Sequence, residues 1–109
     1  MSPLKDFPPL TDVSTPLELK HGDVVYFKAE KDSHTKFYFD VNEPLVIKID
    51  VWPLNAKSDP DLYIKIDDEN VNEKNSDFKR NNYGNNLIII PPDHLKFKIG
   101  RYWALVHAF

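Results

Sequence analysis

Residues 42–53, NEPLVIKIDVWP, hold the most regular alternation in the chain. In an extended strand, Leu45, Ile47, Ile49 and Val51 fall on one side, and Val46, Lys48, Asp50 and Trp52 on the other. A helix of the same sequence would scatter Lys48 and Asp50 around its apolar stripe, so the period selects a strand. Pro44 and Pro53 bracket it, where a missing N–H removes no ladder bond from within.

The same period recurs on both sides. Lys36 to Val41 places Phe37, Phe39 and Val41 on one face with Tyr38 and Asp40 opposite, and Asp61 to Asp67 turns Leu62, Ile64 and Ile66 inward after a Ser58-Asp59-Pro60 turn. Asp23 to Lys28 reads as a further strand after Gly22. Leu87 to Ile90 is a short β-branched run closed by Pro91-Pro92, and Leu95, Phe97 and Ile99 alternate with Lys96 and Lys98. The twenty residues from 67 to 86 are mostly polar, with seven Asn and only Val71, Phe78 and Tyr83 as sizeable apolar groups. They read as a surface excursion with a short strand between Phe78 and Tyr83. Residues 1–17 carry four of the nine prolines and form an extended lead-in across a sheet edge; residues 18–109 form one domain. No span longer than ten residues has helical periodicity. With seven to eight short strands and turn residues between them, the expected fold is all-β: a two-sheet, jelly-roll-like antiparallel β-sandwich without substantial helix.

A chain of 109 residues suits one core, and its seven Phe, five Tyr and two Trp supply large groups to fill it. Twelve Lys and two Arg are dispersed among seventeen acids, for a net charge of −3, which does not suit a nucleic-acid partner. Cysteine is absent, which excludes disulfides and thiol chemistry. No stretch reaches the length of a transmembrane segment, and the first twenty residues lack the apolar run of a signal peptide. His21, His34, His94 and His107 lack HExxH spacing, no GxSxG elbow occurs, and three glycines make no phosphate loop. The chain is therefore read as non-catalytic.

Four segments in order, KFYFDVNEPLVIKIDV (36–51), SDPDLYIKIDDEN (58–70), LIIIPPD (87–93) and GRYWALVHAF (100–109), resemble the bacterial pre-peptidase C-terminal domain. That family's pattern is a YFxFxV strand, a DPDLYL strand and a closing GxYxhxV strand. The resemblance implies a non-catalytic β-sandwich appended to a secreted peptidase, as in clostridial collagen-binding domains, or part of a protist receptor for lysosomal hydrolases. It also implies a secreted or endosomal/lysosomal lumenal setting and a hydrolase or matrix protein as partner. Collagen-binding members hold calcium partly through a DxD before the YFYFDV strand; here His34, Thr35 and Lys36 stand before Phe37.

Two sets of residues are candidates for binding. Both faces of the closing strand are largely apolar, and the resemblance implies that Tyr102, Ala104 and Val106 face the core. Trp103, Leu105, His107 and Phe109 then point outward, beside Trp52 or Tyr63, and need either the lead-in or a partner to cover them. Asp59, Asp61, Asp67 and Asp68 are acidic groups at strand ends that hard cations could share, so calcium is the one candidate cofactor; the simpler reading, in which Asp59 makes a turn before Pro60 and the others solvate a loop, requires none. The favoured function is an accessory domain that recognises a protein, and less readily a glycan, through the aromatic face. The alternatives are a calpain domain III or C2-like module responding to calcium or anionic lipid, and a structural or homodimerising domain.

Overall fold

The computed structural model describes residues 9–54 and 59–108, and these contain strands but no helix. In chain order the strands are β1 (Leu17–Glu18), β2 (His34–Val41), β3 (Ile47–Val51), β4 (Pro60–Ile66), β5 (Phe78–Arg80), β6 (Asn86–Ile90) and β7 (Gly100–Ala108). Five form one sheet in the order β1-β2-β7-β4-β5, and β3 pairs with β6 in a second. All pairings are antiparallel except that of β1 with β2. The all-β, two-sheet architecture expected from the alternation is the one observed. Among the described residues no helix is long and apolar enough to cross a membrane.

The closing strand lies in the middle of the larger sheet, with β2 along one edge and β4 along the other. Its inward residues meet a core residue on each neighbouring strand. Ala104 leaves room between Phe37 and Ile64, Val106 lies between Thr35 and Leu62, and Tyr102 lies between Phe39, on which it stacks, and Ile66. Leu62, Ile64 and Tyr102 are completely buried. The small sheet covers this face with Ile47, Ile88 and Ile90. Two strands cannot cover five, and the remainder is packed by Val13, Leu17, Leu19, Val25, Phe27 and Phe97. Most of these lie outside regular strands.

Three expected strand segments take other forms. Residues 23–28 form no strand: the Tyr26 carbonyl accepts a bond from the Thr11 N–H, and Val25 and Phe27 pack against the core, with Phe27 edge-on to Phe37 at 5.3 Å. Leu45 and Val46 fall outside β3 and are exposed. Extending the Ile47–Ile90 register by one and two residues would place them opposite Pro91 and Pro92, which have no N–H to give. Residues 95–99 form turns rather than a strand, with His94 N–H bonded to the Pro91 carbonyl and Phe97 N–H to that of His94. At the N-terminal end, Leu17 is already paired with Phe37, and residues 1–8 of the expected lead-in lie outside the described residues.

Two polar contacts fix the ends of the central strands. Asn86 is buried; its amide group donates to the carbonyls of Pro60 and Asn82, and its oxygen accepts from the Asn82 N–H. At the opposite end, Asp67, in the left-handed region at φ 61°, donates its N–H to the Arg101 carbonyl and accepts the Arg101 N–H on its carboxylate. Gly100 lies under that carboxylate at φ 155°, where an added Cβ would come within 2.5 Å of Oδ1. Gly100→Ala must displace the Asp67 side chain and strain its own backbone, a cost of about 2 kcal/mol. Chemical denaturation should show a lower midpoint with an unchanged slope; an unchanged midpoint would refute the latch.

Candidate functional site

The outer face of the larger sheet follows directly from the register. One row joins His34, His107 and Asp61; the next joins Lys36, Leu105, Tyr63 and Lys79; a third joins Glu18, Tyr38, Trp103 and Lys65; a fourth pairs Asp40 with Arg101. These are the alternate residues of strands whose other faces form the core. Trp103, Leu105, His107 and Tyr63 therefore share one face as expected. Trp52 does not join them: it follows β3 on the other sheet and is exposed. Phe109 lies outside the described residues.

The middle of this face is covered from within the chain. Leu105 and Tyr63 are buried with Val71 in a small cluster against which Trp103 packs. Val71 belongs to the polar connection between β4 and β5, which is built largely on its own side chains. Asp68 accepts from the Asn70 N–H and the Asn75 amide, Asn72 accepts from the N–H groups of Lys74 and Asn75, and Asn75 donates to the Asn70 carbonyl. These short-range bonds satisfy the backbone of an irregular loop. Among the described residues, Val71 rather than the lead-in packs on Leu105. Val71 was legible only as an isolated apolar residue in a polar run.

To one side of that cover, a half-buried aromatic group remains accessible. Tyr38 and Trp103 meet at 5.1 Å with a 40° tilt, and the Arg101 guanidinium sits 4.6 Å from the Tyr38 ring centre while bonding Asp40 through Nε and Nη2 at 2.8 and 3.0 Å. That bidentate pair holds the Asp40 carboxyl below its ordinary range. On the far side of the cover, His34 and His107 stack at 4.2 Å and 15°. Tyr38, Lys36 and His34 were not among the residues expected to bind. The alternation that sends Phe37 and Phe39 inward also sends these outward, but only the pairing of β2 with β7 sets them beside Trp103 and His107.

The four carboxylates expected to share a cation are divided between the ends of β4. Asp59 and Asp61 stand at its start and Asp67 and Asp68 beyond its finish, about 20 Å away at the usual strand rise. Asp67 is committed to Arg101, and Asp68 to Asn70 and Asn75. Among the described residues no group of three or more His, Cys, Asp or Glu is placed to hold a metal ion. The family's calcium position before β2 is not matched either: Asp32 there sits in a turn at φ 66° and donates its N–H to the Ala108 carbonyl.

Asp61 is 6% exposed and accepts a 3.3 Å bond from the Tyr63 hydroxyl, while its other oxygen, like one of Asp59, is buried without a hydrogen bond. Desolvation pushes the Asp61 carboxyl up, against the effect of the Tyr63 bond, and with the nearby acids it pushes the Tyr63 phenol up to about 12. Comparison of the chain with protein-family models, curated proteins and solved structures finds no match.

Two outcomes follow from this geometry. Because the folded state holds the Asp61 proton more tightly than the unfolded chain does, stability falls as pH rises from the ordinary aspartate range through the raised value. Asp61→Asn should therefore raise the melting temperature at neutral pH, with the gain shrinking below about pH 4; a gain independent of pH would rule out the charge as its source. Val71→Ala removes two buried methyl groups and should cost about 1–2 kcal/mol. In a Trp52→Phe background it should also shift Trp103 emission to the red, and unchanged emission would show that Val71 does not shield that ring.

Proposed function

We propose that this chain is a non-catalytic binding module that takes a protein ligand across the outer face of its five-stranded sheet. The observation that carries the reading is the half-buried Tyr38–Trp103 pair, held on two adjacent strands of the sheet with Arg101 beside it. Aromatic and arginine side chains dominate binding energy at protein interfaces, and groups already fixed by a sheet lose little freedom on contact. Lys36 and Lys65 in the adjoining positions supply a polar rim.

A protein suits this surface better than a sugar. Stacking a sugar ring calls for an open aromatic face, whereas the Arg101 guanidinium sits over Tyr38 and the Trp103 ring is tilted against it. The resemblance to pre-peptidase C-terminal domains agrees with such a role and points to a hydrolase or a matrix protein as the class of partner; the ordered strand motifs and the helix-free two-sheet fold support it.

The face is tested by placing a photo-crosslinking residue at position 36, on the proposed surface, and at position 48, on the exposed side of β3, in an extract of the source cells. Protein adducts should form from position 36, disappear with Trp103→Ala, and withstand excess free oligosaccharide. Equal labelling from both positions would refute the face, and loss on adding oligosaccharide would make the ligand a glycan.

A further inference from the structure

The segment between β6 and β7 presents an apolar tip without a local partner. Leu95 is 99% exposed and Ile99 is 55% exposed, yet the loop that carries them is firmly anchored. Phe97, between them, packs on the main core; His94 meets Phe78 edge-on at 5.1 Å, and the Lys96 N–H donates to its Nδ1. The Tyr102 hydroxyl donates to the Lys98 carbonyl at 2.7 Å and accepts the Lys98 N–H at 3.3 Å. Leu95 is thus displayed by an ordered turn while its neighbour Phe97 is drawn inward.

The charge around this tip is opposite to that of the molecule. Leu95, Lys96, Lys98 and Lys65 line a groove of about 360 Å³ with Asp77. Lys96 and Asp77 continue into an adjoining cleft of about 240 Å³, where Lys74 and Lys79 stand with Glu73. Five lysines therefore meet two acids on this side, in a chain whose net charge is −3. Asp77 is engaged by the Ile66 N–H at 2.9 Å and by Lys65 at 3.4 Å, and Lys96 is held by the Asp77 backbone carbonyl rather than by a carboxylate. In residues 91–99 the only acid is Asp93.

We propose that the 91–99 loop and its lysine groove dock on an anionic phospholipid membrane, with Leu95 entering the interfacial region and the lysines facing lipid phosphates. Lysines near an anionic leaflet each add about fivefold in affinity, and an exposed leucine gains by leaving water. Charge alone would suit a soluble polyanion equally well; the displayed Leu95 and Ile99 are what favour a surface with an apolar interior. The inference rests on the 91–99 loop and its groove, which meet the proposed protein-binding face only at Lys65, and it does not depend on that reading.

The test is co-sedimentation with phosphatidylserine–phosphatidylcholine vesicles, and with phosphatidylcholine vesicles alone, at low and high salt. The protein should sediment only with the anionic vesicles and be released by salt. Leu95→Ser should weaken binding at least about tenfold, and Lys96→Glu with Lys98→Glu at least about 25-fold. Leu45→Ser, at another exposed leucine, should leave binding unchanged. All changed side chains are exposed, and circular dichroism should show every variant folded. Failure of the unmodified protein to sediment with anionic vesicles would overturn the proposal. So would undiminished binding by Leu95→Ser, which would make the groove a site for soluble polyanions; binding of an anionic oligonucleotide by that variant would confirm this outcome.

Discussion

The structure depends on β7 being hydrogen-bonded along both edges while carrying apolar side chains on both faces. Pairing fixes only the edges of a strand, and a central strand with one polar face can leave that face in water. Between β2 and β4, β7 is apolar on both faces, so Tyr102, Ala104 and Val106 on one side and Leu105 and Trp103 on the other require separate covers. The two covers differ in kind. The inner one is a second sheet of β3 and β6, completed by irregular segments; the outer one is Val71, delivered by a loop of Asp and Asn side chains bonded to one another.

Attachment of that outer loop links stability to the candidate site. The loop leaves β4 at Asp67, whose carboxylate and N–H both bond Arg101, and it returns at Asp77, whose carboxylate takes the Ile66 N–H and whose own N–H donates to the Ile64 carbonyl. Arg101 is in turn the residue over Tyr38. The backbone of one residue thus ties down the loop while its side chain orders the aromatic pair. Gly100 is confined to its conformation by the same contact. The burial of Leu105 and Tyr63, and the partial exposure of Trp103, follow from where this loop is fastened.

Much of this was legible in alternation. Period two placed Phe37 and Val41 on one face and turned Leu62, Ile64 and Ile66 inward; the family resemblance chose Tyr102, Ala104 and Val106 as the inward side of the closing strand; all eight are buried. The failures occurred where alternation lacked a pairing partner. Leu45 and Val46 lie opposite prolines, Val25 and Phe27 pack without a ladder, and Leu95 and Ile99 sit in turns while Phe97 between them reaches the core. For the candidate face, Trp103, Leu105, His107 and Tyr63 were found because they share a strand or a motif. Tyr38 and His34 were missed because their role arises only from register with β7.

The sequence by itself determined that the chain is all-β, which side of the alternating strands is apolar, and that the closing strand is apolar on both sides. Those properties are local, since side-chain direction in a strand repeats every two residues. Only the tertiary structure decided that β7 is central, that Val71 covers Leu105, that the acidic pairs are separated by the length of β4, and that Leu95 projects among lysines from a loop anchored by Phe97. Each of these depends on which strand edges meet and where the irregular segments are tied. Hydrogen bonds and packing between residues distant in the chain settle those choices, and no local period encodes them.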